Sequence, residues 1–468
     1  MAVRFFNTLS RSVQEFAPLD PAGKPIGMYC CGPTVHDFAH IGNFRTFVFA
    51  DLVRRFLEFR GFAVKHVMNI TDVEDKIIRR VRESNTTLRE FTGKYEAAFL
   101  EDLRTLTCLP AHHTPRATEY ITEMVELIRQ LIARGIAYQA PDNSVYFSID
   151  KYRGCGCKYG QLVKLNFDEM RVGERVASDE YEKESLADFA LWKARVPEDG
   201  DVFWPSPWGE GRPGWHIECS AMSMKLLGAS FDLHLGGEDL AFPHHEDEIA
   251  QSEGATGRPF VKHWMHGAHL LVEGKKMSKS LGNFFTLRDL LTKGSTGREI
   301  RYLLLTAHYR DSFNFTLDGL AGARTALARI DECLAKLREI AGATTTAAPD
   351  TAVLEKFASA LDDDLNISAA WAVIYDWVRD LNRALAANEI QPPPAAAALA
   401  TWQRMDTVLG IGGKPEAEVP PELLALLDER NAARKAKDFK RGDALRDDLK
   451  AKGWAIEDTA KGAKLKKL

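Results

Sequence analysis

The sequence predicts an α/β protein: a parallel-sheet domain carrying an insertion, then an α-helical bundle and a small C-terminal module. Three observations predict it. Strand-like and helix-like segments alternate over the first 80 residues, the order that builds a parallel sheet. Beyond about Leu320 the chain turns Ala- and Leu-rich with helical spacing. The 468 residues also exceed one ordinary hydrophobic core, so about two to four domains are expected.

Gly27 to Cys31 reads as the first strand and ends at the Gly32-Pro33 turn signal. Phe49, Leu52, Val53, Phe56 and Leu57 follow at i, i+3, i+4, i+7 and i+8, one apolar helix face that Gly61 stops. Ala63 to Ile70 reads as the next strand. Thr71-Asp72-Val73-Glu74 has capping-box spacing and predicts a helix start. From Gly135 to Asp201 the chain is rich in Gly, Tyr and charge, with little long periodicity, and reads as an insertion. The α/β pattern resumes near Gly214. Phe231, Leu233 and Leu235 alternate as in a strand, before Gly236-Gly237. Linkers are expected at Gly342 to Asp350, Gln391 to Ala396 and Gly412 to Pro421. The division that follows is 1–134 and 202–262 for the two halves of the sheet domain, 135–201 for the insertion and 263–320 for the region after the sheet. The bundle is then 321–405 and the last module 421–468.

Composition narrows the class. Hydrophobic residues make up 45% and charged residues 27%, the balance of a globular protein. No apolar run approaches the roughly 18 residues of a membrane span. Met1 to Phe6 lacks the basic and apolar blocks of a signal peptide, so a cytoplasmic location without membrane attachment is the simplest reading. Seven cysteines are too few and too odd in number for a disulfide scaffold; they should be thiols, some able to bind metal. The net charge of −5 gives no whole-chain sign of nucleic-acid binding. Glu429 to Leu468 runs the other way, with thirteen Lys/Arg against seven Asp/Glu. There Arg430, Arg434, Lys437 and Arg441 follow the spacing of one helix face, which suits a phosphate backbone or, more plainly, solvent.

His40-Ile41-Gly42-Asn43 opens the first helix. A helix N-terminus offers free N–H groups and a positive dipole end to phosphate. Gly42 lets a ligand approach the backbone, and His40 and Asn43 can donate hydrogen bonds. On its own the string also reads as a helix start capped by a histidine. Lys276-Met277-Ser278-Lys279-Ser280, between Gly274 and Gly282, predicts a mobile loop whose two lysines reach one triphosphate and offset charge on a leaving pyrophosphate.

Together these strings resemble the HIGH and KMSKS signatures of class I aminoacyl-tRNA synthetases. That resemblance implies a Rossmann-type catalytic domain, with His40, Gly42 and Asn43 at the ATP phosphates and Lys276 and Lys279 stabilising the activation transition state. Asn43 departs from the signature's second histidine; it keeps a donor but cannot carry charge. Gly214 to Met222, Phe242 to Glu248, Met28 to Val35, Asn69 to Lys76 and Asp188 to Lys193 closely resemble segments of the cysteinyl-tRNA synthetase family. Glu429 to Asp438 and Trp454 to Asp458 resemble its anticodon-binding module, which makes Arg430, Arg434, Lys437 and Arg441 expected tRNA contacts. The residues from Lys461 to Leu468 depart from the family ending and read as a disordered basic tail.

By the same resemblance the zinc ligands are Cys31, Cys219, His244 and Glu248, with one Zn2+ per chain. The residue chemistry agrees. His244 and Glu248 are four apart after Pro243, so they share a helix face. Two thiolates, an imidazole and a carboxylate make a zinc set. Zinc also fits the task, because cysteine and serine differ only by sulfur for oxygen, and a metal–thiolate bond selects the sulfur. Cys30 should point away from Cys31 and reads as structural. Cys155-Gly156-Cys157 lacks an evident partner pair for a second metal site. His245 and His234 are near the pocket; His234 reads as a substrate contact or a support for a ligand. Trp215 is either a wall of the amino-acid pocket or a core aromatic. Asp239 could take the substrate ammonium or the ATP ribose, and Thr71 is a substrate contact or only a cap. The implied partners are L-cysteine, ATP with Mg2+, and tRNA(Cys), and the family expectation is a monomer. Two rival readings are a ligase joining cysteine to an amino sugar in mycothiol synthesis, and a non-catalytic RNA-binding descendant.

Overall fold

The structure is a computed structural model that describes residues 2–21, 23–163, 188–342, 347–412, 420–459 and 462–467. The chain forms two units, Met1–Ile411 and Gly412–Leu468.

A four-stranded parallel sheet organises the first unit. Strand β1 (Ile26–Cys30) is followed by helix α1 (Ile41–Phe59) and strand β2 (Val64–Met68). After the insertion come helix α2 (Trp215–Leu227), strand β3 (Phe231–Gly237), helix α3 (Glu246–Thr256) and strand β4 (Val261–Gly267). The spatial order is β4-β3-β1-β2, every neighbour parallel. The order reverses between β1 and β3, and the carboxyl ends at such a switch point leave a crevice for ligands. All five residues of β1 and all seven of β3 are buried, as expected of strands covered on both faces. The sheet therefore includes β4, which crosses the boundary expected at 262/263.

The insertion carries an antiparallel sheet of Ala137–Gln139, Val145–Phe147, Phe189–Ala194 and Gly211–Pro213. Its last strand lies beyond Asp201, and residues 164–187 of the expected insertion lie outside the described residues.

Two expectations fail for physical reasons. Thr71 is not a helix cap. It bridges Thr34 in parallel and its hydroxyl accepts from Asn69 Nδ2 at 3.1 Å. The cap is Glu74, whose carboxylate accepts from the Lys76 N–H at 2.8 Å, and the helix is Asp75–Ser84. The three prolines are not a linker either. They open the helix Pro392–Leu409, where a first-turn residue needs no N–H. That helix joins Leu317–Ala341, Thr351–Asp362 and Ile367–Ala386 in the bundle. The linker segments 343–346 and 413–419 lie outside the described residues.

One buried cation ties the sheet domain to the bundle. Arg301 is fully buried and donates to Asp51 of α1 at 2.5 Å, the Leu409 carbonyl at 2.6 Å and the Leu106 carbonyl at 3.0 Å. Arg55 holds the same carboxylate at 2.7 Å and reaches the Thr407 carbonyl at 3.0 Å. Burial would raise the Asp51 pKa, but Arg301 and Arg55 outweigh it and hold the carboxyl below its ordinary value. Its stabilisation is therefore present above the unfolded-state pKa and lost as pH falls through the folded one.

In the second unit, helices Pro421–Lys435 and Phe439–Ala451 pack with a hairpin of Trp454–Thr459 and Gly462–Lys467. Of the expected disordered tail, Gly462–Lys467 is a strand, while Lys461 and Leu468 lie outside the described residues. Its backbone pairs from Gly462↔Thr459 to Lys467↔Trp454, and Leu465 packs against Leu423, Leu449 and Trp454.

Replacing Arg301 by Met leaves the buried Asp51 carboxylate with one of its two arginine partners and should destabilise the first unit by about 1.5–3 kcal/mol. The urea unfolding midpoint measures it; an unchanged midpoint contradicts the role given to Arg301.

Candidate metal and nucleotide site

The end of β1 sets the first ligand position. Its register places Cys30 beside Leu235, and the Cys31 N–H donates to the Leu235 carbonyl at 3.2 Å. Cys219 lies in the second turn of α2. The chain kinks at Phe242 (φ −144°, ψ 131°) and winds into α3, placing His244 just before that helix and Glu248 inside it. These parts converge. Donor atoms of Cys31, Cys219, His244 and Glu248 all lie within 4.8 Å of one another, and all four residues are buried. Cys31 Sγ is 3.8 Å from Cys219 Sγ and 3.7 Å from Glu248 Oε1, which is 3.1 Å from His244 Nε2.

A second layer holds these groups. His244 Nδ1 and His216 Nδ1 share a hydrogen bond at 2.8 Å, and His216 Nε2 is 3.4 Å from Asp247 Oδ2. That leaves His244 Nε2 facing the cluster, as a metal-binding imidazole requires. His234 Nε2 is 3.0 Å from Glu248 Oε2, and its ring stacks on Trp264. His245 Nε2 is 3.3 Å from Cys31 Sγ, while its Nδ1 is 2.7 Å from His266 Nε2. His266 in turn meets the Thr8 hydroxyl at 2.8 Å. The His245 ring fits because Gly236 has no side chain; a Cβ there would sit 2.5 Å from it. Sequence reasoning missed His216 and His266. His216 precedes Cys219 by three, so helical spacing alone could have placed it on that face. His266 had no such signal, because only the β3–β4 pairing brings it in.

Burial shapes the protonation of the site. It raises Glu248 to about 8, lowers His244 and His234 to about 3, and pushes Cys31 well above the ordinary thiol value. For Cys219 the hydrogen bond with Cys31 pulls down, but burial and Glu248 keep it raised. Burial thus favours the uncharged form of each of these groups. Two thiols, an imidazole and a carboxylate, packed in a dry site, are a donor set that a divalent zinc ion fits. Cys31, His234, His245 and Glu248 form an alternative four-donor group. It lies deeper: His234 and His245 have no exposed surface. Beside the first set stands Trp215, 38% exposed, with its ring centroid 4.4 Å from that of His244. Trp215 is therefore not a buried core aromatic. With Ala190, Lys193, Arg212, His216 and Glu218 it lines a pocket beside the cluster.

The nucleotide strings also meet. His40 caps α1: its Nδ1 accepts from the Asn43 N–H at 3.2 Å, and Asn43 Oδ1 accepts from the His40 N–H at 3.0 Å. Accepting at Nδ1 puts the neutral imidazole's proton on Nε2, free to donate outward. A Cβ on Gly42 would stand 2.7 Å from the Met277 methyl, so the lysine loop rests where Gly42 has no side chain. Thr286 bridges His40, and the Ile41 N–H donates to the Phe285 carbonyl at 2.9 Å. Lys276 is exposed in a short strand. Lys279 opens a 3-10 turn, Lys279–Leu281, but its side chain lies outside the description. Asn283 braces the loop by accepting from the Ser278 N–H at 2.9 Å. Asp239 follows β3 in a turn, and its charge acts on His40. Thr71 is buried beside Glu218.

The expected tRNA contacts fall on two helices and the turn between them. Arg430, Arg434, Lys437 and Arg441 do not share one helix. Lys437 takes a left-handed φ of 61°, and Asp438 caps a new helix by accepting from the Arg441 N–H at 3.1 Å. Arg430 is buried, Arg434 pairs with Asp443 at 3.2 Å, and Arg441 pairs with Glu429.

The fold and this site define a class I aminoacyl-tRNA synthetase: residues 18–325 match the class I (C) catalytic domain of tRNA synthetases, and 356–412 match the DALR domain. Residues 416–464 match the anticodon-binding domain of cysteinyl-tRNA ligase. A cysteine--tRNA ligase of Chlamydia muridarum is 48% identical, with 100% of each chain covered. That of Protochlamydia amoebophila is 46% identical over 99% of this chain and 98% of its own. The chain belongs to the cysteine--tRNA ligase family. The fold recurs in methionyl-tRNA synthetase of Mycobacterium tuberculosis, with a TM-score of 0.58, 15% identity, and 83% and 90% of the two chains covered. It recurs in a leucyl-tRNA synthetase of Agrobacterium radiobacter, with a TM-score of 0.60, 12% identity and 85% of each chain covered. Among the described residues no helix is long and apolar enough to cross a membrane.

A zinc ion held by Cys31, Cys219 and Glu248 would displace their protons, so zinc affinity should rise with pH, by roughly tenfold or more per unit through neutrality. Competition with a chromogenic chelator at several pH values reads this directly. A pH-independent affinity would mean that these groups are not ligands.

Proposed function

We propose that this chain activates L-cysteine with ATP and transfers it to the 3′ end of tRNA(Cys), and that Cys31, Cys219, His244 and Glu248 hold one zinc ion that selects the substrate. The convergence of four far-separated donors at the carboxyl edge of β1 and β3 carries this reading. Zinc bound there supplies a Lewis acid that favours a cysteine thiolate over a serine hydroxyl.

The chain's own groups divide the remaining work. His40 Nε2–H and the backbone at the start of α1 donate to the ATP phosphates, with Mg2+ accompanying the nucleotide. Gly42 leaves the room in which nucleotide and lysine loop meet. Lys276 and Lys279 offset the charge that gathers on departing pyrophosphate. Trp215 walls the amino-acid pocket, Thr71 supports it from behind Glu218, and His234 steadies Glu248. Asp239 receives either the substrate ammonium or the ribose hydroxyls. In the second unit, Lys437 and Arg441 face solvent and offer contacts to the tRNA backbone, with Arg434 held beside them by Asp443. The match of 416–464 to an anticodon-binding domain argues against the amino-sugar ligase.

Cysteine-dependent ATP–pyrophosphate exchange should be robust, with serine slower by roughly 10^4-fold. Stripping zinc should abolish the exchange, and restoring zinc should recover it; exchange that survives metal removal rejects the zinc assignment. Lys276→Ala should lower kcat by roughly 10^2-fold with little change in KM for cysteine. Charging of unfractionated tRNA should accompany exchange; exchange without charging would favour the amino-sugar reading.

A further inference from the structure

The insertion holds a pair of thiols that the chemistry above does not use. Cys155 caps the short helix Ile149–Gly154, and Gly156 turns the chain back with φ 84°. The two sulfurs lie 3.6 Å apart, in van der Waals contact. Cys155 is exposed and Cys157 half-buried, whereas Cys30, Cys31, Cys108, Cys219 and Cys333 are all buried. This pair is therefore the accessible thiol chemistry of the chain. It belongs to neither buried group of metal donors.

Its position relative to the metal cluster gives it a consequence. Two residues past Cys157, the Tyr159 hydroxyl donates to Asp247 of α3. The N–H groups of Gly160, Gln161 and Leu162 then close on the Glu246 carboxylate at 2.7, 2.9 and 2.8 Å. Leu162 packs into the same apolar cluster as Cys31 and Cys219. One short segment thus begins at the dithiol and ends clamped to the helix that carries Glu248.

We propose that Cys155 and Cys157 form a redox-active dithiol that hydrogen peroxide converts to a disulfide, and that closing this bond disturbs the cysteine site through the 159–162 clamp on α3. The chemistry balances with the peroxide as oxidant. Cys155, the more exposed thiol, attacks one peroxide oxygen as its thiolate. The O–O bond breaks, the other oxygen leaves as hydroxide and takes up the proton that Cys155 released, becoming water, and a sulfenic acid remains on Cys155. The Cys157 sulfur then attacks the Cys155 sulfur, the S–O bond breaks, and the hydroxyl leaves with the Cys157 proton as a second water. Two thiols and one peroxide give one disulfide and two waters, and a small dithiol reductant reverses the change. Burial and the neighbouring Cys155 raise the Cys157 pKa, which fits Cys157 as the resolving thiol. Closing the bond from the 3.6 Å contact fixes both side chains in one geometry, and the 159–162 segment is the route by which that change reaches α3.

The dithiol claim stands on its own geometry; the effect on activity rests on the reading of the site as the cysteine pocket. The test uses the full-length zinc-loaded chain, stoichiometric hydrogen peroxide and peptide mass mapping. The peptide holding Cys155 and Cys157 should become lighter by two hydrogens and recover with dithiothreitol. Sulfinic acids on the pair, disulfides between chains, or untouched thiols overturn the dithiol. With bound zinc unchanged, the oxidised chain should show cysteine-dependent exchange lowered roughly threefold to tenfold. The Cys155→Ser/Cys157→Ser double variant should keep its full rate under the same treatment. An oxidised chain at full rate, or a double variant inhibited equally, overturns the coupling. A reduced chain with no cysteine-dependent exchange would instead overturn the functional reading and leave the peptide result standing.

Discussion

Four ionisable side chains buried around one point are the constraint to which the sheet domain answers. Each of Cys31, Cys219, His244 and Glu248 would hydrate readily at a surface. Placed together in a dry pocket they are driven toward neutral forms, Glu248 to about 8 and His244 to about 3. Keeping a carboxylate and two thiols there costs stability unless a partner of positive charge repays it. Among the described residues the Glu248 carboxylate meets Cys31, His234 and His244, none of them a fixed cation. A divalent metal answers the charge and the geometry at once. The parallel sheet makes the arrangement constructible, because its switch point brings the ends of β1 and β3 side by side and leaves α2 and α3 above them.

Helix α1 carries the second half of the machinery. Its N-terminus, capped by His40 and Asn43, faces the lysine loop across Gly42. Midway along, Asp51 binds Arg301 and Arg55. At its end Arg60 pairs with Asp362 of the bundle. One rigid element thus runs from the capped turn at His40 to the helical bundle, with a buried ion pair to fix its angle.

Much of this was legible in the residues because the signals were local. The His244/Glu248 spacing, the strand alternation at Phe231 to Leu235 and the helix at Phe49 to Leu57 are periodicities that any neighbour would preserve. The failures came where tertiary contacts competed with a local rule. Thr71 has the spacing of a cap, but a bridge to Thr34 claims its backbone. Three prolines look like a linker until the helix N-terminus is seen to need no donor there. The basic stripe from Arg430 to Arg441 assumed one continuous helix, and Lys437 with Asp438 breaks it. The final lysines hid a strand because Ala463 and Leu465 alternate too briefly to register without the partner strand. His266 was illegible because only sheet pairing brings it to His245.

The central claim is that Cys31, Cys219, His244 and Glu248 bind zinc and that the zinc then takes the substrate sulfur. X-ray absorption at the zinc edge of the purified chain tests it most directly. The account predicts two sulfur scatterers near ~2.3 Å with nitrogen or oxygen near ~2.0–2.2 Å, and a third sulfur when cysteine is added but not when serine is added. A sulfur count that stays the same on adding cysteine, or a zinc shell without sulfur, would contradict it.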